Sequence, residues 1–127
     1  MSKLVMMLSG WLMAAAGLIL AFAPQELAVA LGYGSGPGIV LILQIIGGLY
    51  LGFAALNWMG KGSLLGGIYG KPVSIGNFTH FLVAGLAILK SALSQQQPLL
   101  IGIGVVYCAL ALAFGYISFV PPKLPPQ

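Results

Sequence analysis

Charge is nearly missing from this chain. Its 127 residues hold five lysines and one glutamate, no arginine, no aspartate, one histidine and one cysteine. With Glu26 as the single acidic side chain, no carboxylate pair exists for acid–base work. A lone His80 and a lone Cys108 cannot make a multidentate metal site within one chain, and one cysteine allows no intrachain disulfide. Nucleic-acid binding needs a clustered basic surface, whereas these lysines are scattered. The expectation is a protein without catalytic apparatus, metal, cofactor or nucleic-acid partner.

Apolar residues fill the space that charge leaves. The chain is 60% hydrophobic and 5% charged, its mean hydropathy is +1.07, and ordinary soluble domains carry roughly a quarter charged residues. A bilayer core ~30 Å thick takes about 20 apolar residues per helix. Four such runs occur, at about 4–23, 39–59, 77–93 and 99–120. The fold class expected is therefore all-α, a single membrane domain over 1–127 built as a bundle of four transmembrane helices. The first run is longer than a signal-peptide core and ends at Pro24, a poor residue to follow a cleavage site, so it reads as a span. Residues 25–33 suit a short interfacial helix before the Gly32 to Gly38 break, and 121–127 form a proline-rich tail.

Between the second and third runs lies Asn57 to Phe81, rich in glycine. Its Gly60-Lys61-Gly62-Ser63 is not a phosphate loop. Ala55 stands where the first glycine is needed, Gly62 separates the lysine from the serine, and a helix rather than a strand precedes it. Its lysines read instead as topology signals. With four spans, Lys3, Lys61, Lys71 and Lys123 share one face and Lys90 and Glu26 the other, which predicts both termini on the cytoplasmic side.

Spacing of 4 and 3 along each run marks stripes of small or polar residues suited to close helix packing. The first run gives Gly10, Ala14, Gly17 and Ala21; the second Gln44, Gly48, Gly52 and Ala55; the third Asn77, His80, Ala84, Ala87 and Ser91. The fourth gives Gly104, Cys108, Ala111, Gly115 and Ser118, with Cys108 read as a packing residue. The large aliphatic residues are expected to face lipid.

Two groups remain as candidate sites. Lys61, Lys71, Asn77, Thr79 and His80 gather near the expected start of the third span, where free N–H groups and the helix dipole favour an anionic headgroup. The bland alternative makes Asn77 a helix N-cap and His80 an interfacial side chain. Gln44 and Lys90 are polar groups inside the outer half of the spans. A lysine at mid-bilayer costs ~3 kcal/mol, although Lys90 lies close enough to its helix end to reach water.

The first run ending at Pro24-Gln25-Glu26-Leu27, the Leu31-Gly32 break and Gly47-Gly48-Leu49-Tyr50 in the second resemble DoxX-like and related small bacterial membrane proteins. That resemblance implies four helices and little more, with no defined activity to transfer; the location expected is a cell membrane, the bacterial inner membrane. The likeness to small multidrug-resistance transporters fails, because their essential first-helix glutamate has no counterpart before Pro24. Two functions follow as expectations: an accessory, assembly or scaffold subunit or homo-oligomer among membrane lipids and larger complexes; or a transporter or channel for a small or lipidic molecule. For the topology, a reporter fused behind Gln127 should be active in the cytoplasm; activity only on the far side would overturn the charge argument.

Overall fold

The computed structural model describes residues 1–63 and 70–121. These form five helices: α1 (Ser2–Phe22), α2 (Pro24–Ala30), α3 (Pro37–Gly60), α4 (Lys71–Gln95) and α5 (Pro98–Phe119). All but α2 are long and apolar enough to cross a membrane. The fold is all-α, with no strand among the described residues. Beyond Pro121 the expected tail, with Lys123, lies outside the described residues, as does 64–69 of the glycine-rich loop.

Proline sets the helix starts. α2, α3, α4 and α5 each carry one in the first turn, at Pro24, Pro37, Pro72 and Pro98, where the missing N–H costs nothing and the fixed φ suits the helix. This corrects the expected third span. α4 begins at Lys71 rather than Asn77, because Pro72 nucleates a turn upstream of the continuous apolar run. Asn77 is therefore no N-cap.

The ends are equally local. α2 closes in a Schellman turn: Gly32 sits at φ +82°, its N–H donates to Val29 O at 3.0 Å, and Tyr33 N–H donates to Ala28 O at 2.9 Å. α4 closes the same way with Gln96 at φ +51° and Gln97 N–H donating to Ala92 O at 3.1 Å. Holding a residue other than glycine there costs about 1 kcal/mol.

By contact the chain divides into two units, one of Met6–Lys61 and one of Met1–Val5 with Gly62–Gln127. In the first, α1 and α3 run antiparallel and α2 packs against α3. The register is fixed where side chains are absent. A β-carbon on Gly47 would stand 2.7 Å from the Ala21 backbone nitrogen, and one on Gly17 would meet Leu51 at 2.9 Å. Gly10 lies over Ala54 and Asn57 at ordinary contact distance.

The buried face of α3 is formed by Gly47, Ala54 and Asn57. The stripe expected for packing, Gln44, Gly48, Gly52 and Ala55, is exposed, and no described heavy atom lies within 4 Å of a β-carbon on Gly48 or Gly52. Within this chain the packing face is thus turned by one residue, about 100° around the helix.

In the second unit α4 and α5 form an antiparallel pair. Gly104 abuts Leu89, Gly85 abuts Tyr107 and Cys108, and Gly115 abuts Phe78. Ala111 is buried, Ala84 half-buried and Ala87 exposed. The interface is not merely small: Phe81 and Phe114 are fully buried, their rings stacked at 5.8 Å and 7°. Phe78 meets Phe119 edge to face at 5.6 Å. Rings fill the volume that the glycines open, and each such pair adds about 0.5–1.5 kcal/mol beyond area burial.

Neighbouring glycines on α3 should therefore respond oppositely. Gly47→Ala pushes a methyl into backbone that cannot swing aside, and should lower stability by about 1–3 kcal/mol. Gly48→Ala enters open space and should be neutral or stabilising by up to ~1 kcal/mol. Thermal unfolding in detergent measures both.

Candidate functional site

Polar side chains inside the spans must find partners, since lipid offers none. Within α1 and α3 the partners are Ser9 and Asn57, both fully buried. Asn57 Nδ2 donates to Ser9 Oγ at 2.9 Å, and Ser9 Oγ donates to Met6 O at 3.1 Å. One hydrogen-bonded chain thus ties α3 to the backbone of α1. Trp11 and Trp58 flank it edge to face, with ring centroids 5.8 Å apart. Lys61 Nζ lies 3.1 Å from the centroid of the Trp58 ring, a cation–π contact at the end of α3.

Within α4 and α5 the corresponding centre is aromatic. His80 packs against Phe81 at 5.1 Å and Tyr107 at 5.9 Å, and Phe81 meets Tyr107 edge to face at 5.1 Å. His80 is half-buried and Tyr107 buried. Cys108 lies beside Gly85, with its Sγ 3.2 Å from where a β-carbon on that glycine would sit. The positions from His80 to Gly85 span ~7.5 Å along the helix. A histidine–cysteine nucleophilic pair is not assembled at such different depths.

The headgroup candidates fall into two sets. Lys61 belongs to the unit of α1 and α3, and Lys71, Asn77, Thr79 and His80 to that of α4 and α5. Lys71 and Thr79 are exposed. Asn77 is fully buried and donates from Nδ2 to Val73 O at 2.9 Å, while the buried Ser74 hydroxyl donates to Lys71 O at 3.0 Å. Both side chains therefore bond the first turns of their own helix. At the true N-terminus of α4, Ser74 N–H donates to Gly70 O at 3.1 Å and Pro72 has no N–H, so few free donors remain for an anion. Gln44 and Lys90 are exposed, on different units.

Ser9, Asn57, Trp11 and Trp58 escaped the sequence reading. A signal was present, because Ser9 interrupts an apolar run and tryptophan favours membrane interfaces. Only the helix register, however, brings residues of α1 and α3 together. Among the described residues no three of His, Cys, Asp and Glu converge as metal ligands.

A double-mutant cycle on Ser9→Ala and Asn57→Ala should give a coupling of about 0.6 kcal/mol, with ~1.7 as the ceiling for hydrogen bonds between membrane helices. Additive losses of stability would show that the two side chains act independently. No protein-family model, curated protein or solved structure matches this chain.

Proposed function

We propose that this protein is a non-catalytic membrane module that works by helix association, and that its partner at α3 is a second copy of itself. The observation that supports this is the face of α3 left free by α1 and α2, where Gly48 and Gly52 are exposed and no described atom lies within 4 Å of a β-carbon at either position. A Gly-xxx-Gly pair lets two backbones approach closely, and dispersion and weak hydrogen bonds then hold them without hydrophobic drive.

Self-association is favoured by Gln44, exposed one turn from Gly48 on the same side of α3. Two copies inserted in the same direction are related by a twofold axis along the membrane normal. Gln44 then faces its equivalent at the same depth. An amide carries both donor and acceptor groups, so two of them satisfy each other. Both termini lie on the cytoplasmic side in this reading, by the placement of Lys3, Lys61 and Lys71. Transport of a small molecule has weaker support, because Gln44 and Lys90 are exposed rather than gathered around an internal path.

Energy transfer between labelled copies in liposomes, diluted progressively with lipid, tests the reading. The wild type should dimerise. Replacing Gly48 and Gly52 with leucine should weaken the dimer at least about tenfold, ~1.4 kcal/mol, without lowering the stability of the monomer. A wild-type chain that stays monomeric at every protein-to-lipid ratio refutes the self-association.

A further inference from the structure

Close packing of α1 on α3 leaves an open groove on their surface, of about 300 Å³, lined by Gly10, Trp11, Ala14, Ala54, Ala55 and Trp58. Its cause is compositional. Glycine and alanine form the floor and have nothing to fill the space, while the two indoles, in edge-to-face contact with each other, border it. At ~30 Å³ per water-sized group the groove takes about ten such groups, and a methylene is of similar size. Its lining is apolar, so a hydrocarbon chain suits it better than water does.

The rim is different. The Lys61 ammonium lies against the Trp58 ring, directly beyond the last residue of α3, Gly60. Its charge has no acidic partner within its unit. Glu26 is the chain's single acidic side chain, and it follows the far end of α1, ~16 Å along the helix from Trp11. Among the described residues no carboxylate lies at this end of α1 and α3, so an anion supplied by the surrounding lipid suits Lys61.

Depth joins the two features. Ala54 to Trp58 lie ~3–9 Å below the end of α3, so with that end at the interface they stand at acyl-chain level and Lys61, just beyond Gly60, at headgroup level. We propose that the groove binds one anionic phospholipid, with an acyl chain along the floor of Gly10, Ala14, Ala54 and Ala55 beside the Trp11–Trp58 pair and its phosphate paired with Lys61. Lipid already surrounds these spanning helices, and the phosphate supplies the charge that the rim lacks. The site differs from the headgroup cluster expected at α4, and it adjoins the Gly48 and Gly52 stripe, which Ala55 shares, at the Lys61 end of α3.

The chain's two tryptophans are both in the site, so their fluorescence reports on it directly. The protein is placed in vesicles containing phosphatidylglycerol or phosphatidylcholine with brominated acyl chains, which quench nearby indoles. The preference for the anionic lipid should be about five-fold, the scale set by one lysine near a charged membrane surface. Lys61→Gln should reduce that ratio to about one, and Lys61→Arg should keep it. Ala55→Leu, which fills the groove, should weaken quenching by both lipids. Inorganic phosphate should not compete. Equal quenching by the two lipids in the wild type, or a preference that survives Lys61→Gln, overturns the headgroup contact. Undiminished quenching in Ala55→Leu overturns the acyl position, and competition by inorganic phosphate reassigns Lys61 to a soluble anion.

Discussion

Helices in a bilayer gain nothing by burying leucine against leucine instead of against an acyl chain, so their association depends on how closely two backbones approach. Gly47 meets that requirement against Ala21, Gly17 against Leu51 and Gly104 against Leu89. From these approaches follow the antiparallel registers of both helix pairs and the alignment of Ser9 with Asn57. The level at which Trp11 reaches Trp58 follows as well. A larger residue at Gly47 would move α3 away from α1, and every one of those contacts in the first unit would shift with it.

The four spans were legible because a bilayer imposes a length, and runs of that length and hydropathy have few other uses. Their starts were less legible where proline and the apolar run disagree, as at Pro72 and Asn77. The face of α3 was misplaced for a sharper reason. Gly47 and Gly48 are adjacent, and a small-residue stripe drawn through either keeps helical spacing. Hydropathy cannot decide between them, because both faces of this helix are apolar. The decision is made by Ala21 and Leu51, residues of other segments whose placement only the tertiary register supplies.

Aromatic packing in the second unit was hidden by a different cause. Composition favours small residues at membrane interfaces, and the stripe on α5 follows that rule at Gly104 and Ala111. Glycine, however, opens space without saying what enters it. Phe78 enters beside Gly115 and Tyr107 beside Gly85, giving an interface in which Phe81, Tyr107 and Phe114 are buried and many aliphatic side chains face outward. His80 lies among these rings, a setting that the polar sequence around it did not suggest.

Neighbouring faces of α3 carry different loads, and Ala55 shares its face with Gly48 and Gly52. Gly47, Ala54 and Asn57 hold α1; Gly48 and Gly52 look outward one residue further round; Ala55 and Trp58 border the groove. Each residue turns the helix by ~100°, so a short helix separates these tasks only if small residues recur on more than one face. The double glycine allows backbone approach from two sides at one depth. That arrangement has a physical cost, since each exposed glycine weakens the helix by up to ~1 kcal/mol relative to alanine. Packing within the chain does not repay that cost at Gly48 and Gly52, because nothing described lies over them. If stability of the isolated chain were the only demand, alanine would serve better at both positions. In the dimer proposed above that cost is offset by an approach from outside the fold, made where a β-carbon would stand in the way.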